Sequence, residues 1–116
     1  MVIDLSKIDH IYLVTGYTDM RKQIDGLTSI ISINYPKLDL SINKIFIFCS
    51  KDRTKLKILE VDQTGVWVYY KRTHGEKFIW PKDEKVISVE ERQLLWLLDG
   101  LSPIQKRAHK ARYYNY

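Results

Sequence analysis

The groups in this sequence that could act as catalysts are few and scattered. His10, His74 and His109 lie far apart and form no HExxH or similar short spacing, so a zinc site is not predicted. The single cysteine, Cys49, lies in an apolar run, which indicates a buried, inert thiol and excludes an internal disulfide. The nine aspartates and five glutamates mostly occupy predicted caps and turns, whereas a two-metal nuclease needs acids that converge on one point. The sequence therefore predicts no enzyme, no metal and no cofactor.

A second group of residues has the chemistry of a phosphate-binding surface. Two apolar segments flank the turn formed by residues 62–65, and pairing across that turn puts Lys55 opposite Arg72 and Lys57 opposite Tyr70. Basic side chains contact phosphates, and tyrosine can stack on a base. The same pattern also suits an ordinary solvated sheet. The predicted nucleic-acid-binding residues are Arg21, Lys22, Lys55, Lys57, Tyr70, Lys71 and Arg72.

The distribution of charge supports an anionic partner. The 116 residues carry a formal net charge of +5. Residues 44–85 hold ten bases against six acids, and residues 104–116 hold four bases and no acid, whereas residues 1–43 and 86–103 are net negative. Nucleic acid is the commonest large anion, so clustered positive charge favours it, although a mildly basic protein need not bind any.

The basic residues need a β-hairpin to position them. Residues 55–61 and 66–72 alternate as strands, and Gly65 is predicted to close the turn in a left-handed conformation. On the face that carries the bases, the aliphatic half near Val61 and Val66 is predicted to pack under a helix or a second subunit. The opposite face is predicted to be core, with Leu56, Ile58, Trp67 and Tyr69.

Three more strands are predicted around this hairpin. They are residues 11–15, the near-continuous apolar run 45–49, and a short strand 77–80 that Pro81 stops. Trp80 is predicted to be a core anchor rather than a stacking platform for a base.

A first helix is predicted over residues 18–34, with Thr18 as its N-cap and an end before Pro36. Gly26 would lie inside this helix, where we expect close packing on the sheet to compensate for its low propensity. Arg21 and Lys22 would occupy the first turn, where they either hold a phosphate together with free backbone amides or point into water.

A second helix is predicted over residues 88–98, because Ser88 and Glu91 have the spacing of a capping box. Its segment LLWLLDGL is apolar on nearly every side, which favours contact with a partner, either a second copy of the chain or another protein. The predicted partner-binding residues are Leu94, Leu97, Leu98 and Leu101.

The predicted fold class is α+β, with a mainly antiparallel sheet of about five strands. One helix packs on a face of the sheet and the C-terminal helix lies at an edge. Residues 1–103 form a single domain, and the basic tail 104–116 is either disordered until it meets nucleic acid or solvated and idle. No apolar run is long enough to span a membrane and the N-terminus does not resemble a signal peptide, so we expect a cytoplasmic protein.

Several segments resemble a known family. They are TDMRK with DGL at residues 18–27, KIL at 57–59, YYKR at 69–72, and Phe78 with WP at 80–81. In this order they are similar to the small accessory protein of bacterial IS66-type insertion sequences, called TnpB or Orf2-like, which is unrelated to the RNA-guided nucleases that share the TnpB label. The resemblance covers about residues 11–98. The chain departs from the family pattern at Gln23-Ile24, Thr54-Lys55 and Val61-Asp62.

The resemblance implies a role in DNA transposition beside a separate, larger transposase that performs the strand chemistry. Two hypotheses follow for this chain. It is a DNA-binding factor, with the ends of the element as a candidate ligand, or it is an adaptor that binds the transposase through its C-terminal apolar helix. A homodimer is compatible with both.

Overall fold

The computed structural model describes residues 3–104, and the predicted basic tail lies almost entirely outside them. A short 3-10 helix, Leu5–Lys7, precedes the first strand. The strands and helices, in chain order, are β1 His10–Val14, α1 Ile24–Asn34, β2 Lys44–Cys49, β3 Lys55–Val61, β4 Val66–Arg72, β5 Val86–Val89 and α2 Glu91–Leu98.

The five strands form one sheet in the order β4-β3-β2-β1-β5, so β4 and β5 are its edges. Only β1 and β2 pair in parallel, and the other neighbours are antiparallel. The long crossover that parallel strands require contains α1, which is the usual form of such a connection. The predicted α+β class with a mainly antiparallel five-stranded sheet is confirmed.

The two faces of the sheet carry separate cores. On the first face, Leu27 and Ile31 of α1 are fully buried against β-strand side chains that include Phe46 and Phe48. On the second face, Leu94 and Leu97 of α2 pack among the apolar side chains of the inner strands. The helix α2 follows the edge strand β5 after a single residue, Glu90.

The β3–β4 hairpin has the predicted register, with Lys55 opposite Arg72 and Lys57 opposite Tyr70. The aliphatic half of its first face packs under a helix, as predicted, because Val66 and Val68 contact the core that contains α1. The predicted left-handed Gly65 is wrong. The side chain of Asp62 holds the turn instead, by accepting hydrogen bonds from the amides of residues 64 and 65.

The predicted burial of Trp67 is wrong. Leu56 and Ile58 are buried on the second face, but Trp67 is 57% exposed because β4 is an edge strand. Its indole Nε1 donates to the carboxylate of Asp62 at 2.7 Å.

The predicted strand at residues 77–80 and the predicted cap at Ser88 are also wrong. Phe78 and Trp80 are buried without strand pairing, and Ser88 lies within β5. The capping box forms two residues later, where the Glu90 amide donates to Gln93 Oε1 at 2.7 Å. Trp80 is a core residue as predicted, and its indole donates to the Gly16 carbonyl at 2.6 Å.

Candidate nucleic-acid interface

Lys57 connects three segments of the first face at the end of the hairpin remote from its turn. Its Nζ donates to the backbone carbonyl of Lys22 at 2.8 Å. The same Nζ lies 5.6 Å from the centroid of the Tyr70 ring, within the range of a cation–π contact. Tyr70 is 53% exposed, and Lys22 is exposed as well. Lys22, Lys57 and Tyr70 therefore share one accessible surface although Lys22 is remote from the hairpin in sequence.

The segment that carries Arg21 and Lys22 is a turn that precedes α1, so the predicted start of the helix at Thr18 is wrong. The Thr18 amide donates to the carbonyl of Cys49 at 2.8 Å, and the Lys22 carbonyl is held by Lys57. These two bonds anchor the segment across the ends of β2 and β3, and the helix begins only at Ile24. The N-cap residue, Gln23, makes no side-chain hydrogen bond to the first turn of the helix.

Arg21 is neutralised by its neighbour Asp19. Its guanidinium donates to both carboxylate oxygens, with Nη2 to Oδ2 at 2.8 Å. These hydrogen bonds, together with that from the Arg21 amide, lower the pKa of Asp19 to about 2 from its ordinary value of 3.8. The Arg21 side chain is highly exposed, so its guanidinium stays in water while its Nε and Nη2 atoms donate to Asp19.

Gly26 makes room for Lys22. A Cβ atom at Gly26 would lie 3.0 Å from the Cβ and 3.1 Å from the Cγ of Lys22, which is tighter than an ordinary contact. We expected close packing of this glycine on the sheet. The structure shows that the close neighbour is instead the aliphatic stem of a basic side chain, at the start of α1.

Lys55 and Arg72 lie opposite each other at the outer end of the same face, but they differ in how their charges are balanced. Lys55 Nζ pairs with Asp52 Oδ2 at 2.8 Å, and this hydrogen bond is the main reason that the pKa of Asp52 lies well below its usual range. Arg72 is exposed and forms no ion pair with any residue in the range 3–104. Arg72 therefore carries a charge available to an external anion.

Lys71 does not join this surface. Because side chains alternate along β4, it lies on the second face with Leu56 and Tyr69. There it lines a cavity of about 360 Å³ whose other walls include Ile58 and Leu98. The structure thus brings together the first-face residues of the predicted set and separates Lys71 from them. We call Lys22, Lys57, Tyr70 and Arg72 the basic face.

A feature that the sequence analysis missed lies on the second face, near the turn of the hairpin. Trp67 and Tyr69 stack with their ring centroids 6.3 Å apart, and the Tyr69 hydroxyl donates to Glu60 Oε1 at 2.6 Å. Burial, followed by this carboxylate, raises the pKa of Tyr69 to about 12. The register places Glu60 directly opposite Trp67, and this pairing of an acid with an aromatic residue was the signal available in the sequence.

The structure divides the predicted partner-binding leucines. Leu94 and Leu97 are fully buried in the core of this chain, and Leu98 is half-buried. Leu101 is 49% exposed, and Leu95 of α2 is 45% exposed. The apolar surface that α2 and the following residues leave accessible is therefore smaller than the sequence pattern indicates.

Cys49 is buried, as predicted, and burial raises the pKa of its thiol to about 12. Among residues 3–104, no group of histidine, cysteine, aspartate and glutamate side chains is arranged to hold a metal ion. Within the same range, no helix is long and apolar enough to cross a membrane.

Comparison with known proteins assigns the family. The model of the family described as "IS66 Orf2 like protein" matches residues 9–108, which is most of the chain. The chain belongs to this family. It is also 29% identical over 92 residues to an uncharacterized protein, y4hO, of Sinorhizobium fredii (strain NBRC 101917 / NGR234), an alignment that covers 78% of this chain and 79% of the relative. No solved structure matches the chain.

The IS66 Orf2-like family is a family of accessory proteins associated with insertion sequences, which work with a transposase in transposition. It is not a catalytic family. The segments that carry the resemblance meet in the structure, because the Lys22 carbonyl accepts a hydrogen bond from Lys57, and Lys57 lies over the ring of Tyr70. The segment containing Trp80 joins them through its hydrogen bond to Gly16, two residues before Thr18.

Proposed function

We propose that this IS66 Orf2-like protein is a non-catalytic, cytoplasmic accessory factor that binds DNA through the basic face, with the ends of the insertion sequence as a candidate ligand. Arg21 and Lys55 lie at the border of this face with their charges already paired, whereas Lys71 lies on the other face of β4 and outside this surface. The observation that supports the proposal best is the position of Lys57. Its Nζ donates to the Lys22 carbonyl and lies over the Tyr70 ring, so basic residues from distant segments of the chain lie on one surface.

The basic face suits the phosphate backbone better than it suits base edges. Lys22 and Arg72 are exposed and make no ion pair with the described part of the chain, so both can replace counterions along a strand. Contacts of this kind fix position and carry little sequence information. We therefore expect affinity that falls steeply with salt and depends little on sequence.

A cleft beside the basic face has the shape and lining to hold an unpaired base. It has a volume of about 530 Å³ and is lined by Lys57 and Tyr70 together with apolar side chains, among them Met20, Ile24 and Val68. A partly exposed tyrosine ring next to apolar walls is a favourable place for a flat base to stack. Single-stranded DNA should consequently bind at least as tightly as duplex DNA of equal length at the same salt concentration.

The test is fluorescence anisotropy with labelled duplex and single-stranded DNA at low salt. The double substitution Lys22→Ala and Arg72→Ala should weaken binding by about tenfold or more, since each phosphate contact contributes on the order of 1 kcal/mol. The matched control is Lys37→Ala with Lys82→Ala, which removes the same charge from exposed positions near β5 and β1. Undetectable binding by the unmodified protein, or equal losses in both double variants, would reject the proposal.

A second candidate function is a protein adaptor that binds the transposase through exposed apolar residues at the end of α2. The exposure of Leu95 and Leu101 favours this alternative, with Leu98 between them at the border of the 360 Å³ cavity. A pull-down with the cognate transposase distinguishes the two functions. Retention that survives nuclease treatment and is lost in Leu101→Asp supports the adaptor, whereas retention abolished by nuclease indicates a DNA bridge.

A further inference from the structure

The edge strand β4 has an outer side that nothing in residues 3–104 covers by strand pairing. It is seven residues long, none of its residues is buried, and it contains no proline. The other edge strand, β5, is four residues long with three of them buried. A long, exposed edge without a blocking residue at its centre is a ready template for another strand.

The hydrogen-bond pattern of the hairpin fixes which groups on β4 point outward. The Asp62 amide donates to the Gly65 carbonyl at 3.0 Å, and the Thr73 amide donates to the Thr54 carbonyl at 2.8 Å. Bonded pairs alternate with non-bonded pairs in an antiparallel ladder, so these two bonds set the phase for the whole strand. The residues whose backbone groups point away from β3 are Val66, Val68, Tyr70 and Arg72.

This alternation of outward-pointing and inward-pointing backbone groups is symmetric about Tyr69, so β4 can pair with a second copy of itself. If a second β4 lies antiparallel and centred on that residue, position 66 faces 72 and position 68 faces 70. The outward-pointing backbone amides and carbonyls of one copy then lie opposite those of the other copy. All seven residues of both strands are paired. Centring the pair on Val68 instead leaves Lys71 and Arg72 without opposite residues.

The side chains along β4 are also complementary under this symmetry. On the second face, the turn end carries Glu60 and Asp62 beside the exposed ring of Trp67, whereas the other end carries Lys71. The two-fold axis places Lys71 of one copy opposite Trp67 of the other. A cation–π contact with the Trp67 ring and attraction to the carboxylates of Glu60 and Asp62 favour this position of the Lys71 ammonium group. On the first face, Val68 faces Tyr70 and Val66 faces Arg72, so no like charges oppose each other.

We infer that the chain forms a symmetric dimer in which β4 pairs antiparallel with β4 of a second copy, centred on Tyr69. The interface is isologous, since the same strand serves on both sides. The two five-stranded sheets then continue into one ten-stranded sheet. An antiparallel pair related in this way keeps corresponding faces on the same side, so both copies of the basic face look in one direction. The last consequence rests on the proposed DNA binding, but the pairing itself does not.

Cysteine trapping tests the register directly in the absence of DNA. Positions 69 and 69 of the two copies form a non-bonded pair, with Cα atoms about 4.5 Å apart, within the range that a disulfide spans. Tyr69→Cys should therefore form a disulfide-linked dimer on mild oxidation. Trp67→Cys and Lys71→Cys should each fail to cross-link alone and should cross-link when mixed. The native Cys49 does not interfere because it is buried.

Sedimentation velocity gives an independent measurement on the unmodified chain, which should sediment as a dimer. Tyr70→Pro removes an outward-pointing amide and should give a monomer, whereas Tyr70→Ala keeps that amide and should remain a dimer. Circular dichroism checks that each variant is folded, and the cysteine variants decide the question if Tyr70→Pro is not. A monomer at all accessible concentrations, or cross-linking of Trp67→Cys alone as efficient as that of Tyr69→Cys, would overturn the inference. A dimer that persists in a folded Tyr70→Pro variant would also overturn it.

Discussion

The two edges of the sheet differ in length, burial and charge. At the β5 edge the strand is short and mostly buried, and the chain beside it is tied to β1 by backbone contacts of Thr15, whose amide donates to the Lys85 carbonyl at 2.8 Å. The hydroxyl of Thr15 accepts a hydrogen bond from the Lys85 amide, and its single proton is shared between the carbonyls of Asp83 and Lys85. At the β4 edge the strand is longer, open and rich in basic and aromatic side chains.

Because of this difference, we expect residues at the β5 edge to determine the stability of the fold and residues at the β4 edge to determine binding. The β5 edge buries three of its four side chains, and the chain beside it is bonded to Thr15, so substitutions there should lower the free energy of unfolding. The β4 edge leaves cations, rings and backbone groups exposed, so substitutions there should change the binding of DNA or of a second copy with little effect on folding.

The largest expected contrast is between two tryptophans. Trp80, near the β5 edge, is 4% exposed and hydrogen-bonded to Gly16, whereas Trp67 of β4 is 57% exposed. Trp80→Ala should lower the free energy of unfolding by about 3–5 kcal/mol because it empties a buried site. Trp67→Ala should cost about 1 kcal/mol, mainly through the lost bond to Asp62. Urea denaturation measures both values, and equal losses would contradict the distinction between the edges.

A smaller contrast is expected between two glycines. Gly16 has φ +76°, and a Cβ there would lie 2.9 Å from the Cγ of Glu84. Gly16→Ala should therefore destabilise the protein by about 1–2 kcal/mol, the cost of a left-handed conformation for a residue with a side chain. Gly65, in the β3–β4 turn, has no atom within 4 Å of such a Cβ and no positive φ, so Gly65→Ala should be nearly neutral. Thermal denaturation compares the two, and the opposite order would show that the turn carries hidden strain.

The smallest expected effect concerns the ion pair of Asp19 with Arg21, beside the basic face. The folded-state pKa of Asp19 is lowered to about 2 from 3.8, so its contribution to stability is present above about pH 4 and lost as the pH falls through 2. Asp19→Asn keeps an acceptor for the Arg21 amide but loses the charge. The difference in Tm between the unmodified protein and this variant should accordingly be small at pH 7, decrease as the pH falls from 4 to 2, and vanish below pH 2.

The control for this pH dependence is Asp83→Asn, which removes an exposed aspartate that makes no ion pair within residues 3–104. Its Tm difference from the unmodified protein should not follow the same pH profile. A difference for Asp19→Asn that persists unchanged to pH 2 would show that the ion pair does not contribute in solution.

Local patterns predicted the part of the fold that depends on neighbouring residues. The β3–β4 register followed from strict alternation around a four-residue turn, and the structure has it. The strand β5 was missed because VISV is short and Ser88 has the capping-box spacing to Glu91. Residues 77–80, which include Phe78 and Trp80, were predicted as a strand because they form a short apolar run that ends at Pro81. Their burial has a long-range cause, since the Phe78 amide donates to the Arg53 carbonyl at 2.7 Å and Trp80 reaches Gly16. No local pattern contains these contacts.

In the candidate site, too, contacts within the hairpin could be predicted from the sequence, whereas contacts between distant segments could not. The contact between Lys57 and Tyr70 follows from the hairpin register, and so does the separation of Lys71 onto the other face. The bond from Lys57 to the Lys22 carbonyl joins residues that are remote in sequence, and only the folded chain reveals it. The exposure of Trp67 depended on which strand forms the edge, and strand order could not be predicted from one sequence.

The dependence of DNA affinity on salt tests the central claim, that the basic face binds phosphates. A plot of log K against log salt for the unmodified protein should be steep, with a slope of about −0.9 for each phosphate neutralised on duplex DNA. The Lys22→Ala, Arg72→Ala variant should make that slope shallower by about 2, while Lys37→Ala, Lys82→Ala should leave it unchanged. An unchanged slope in the first variant, or the same flattening in both, would contradict binding through the basic face.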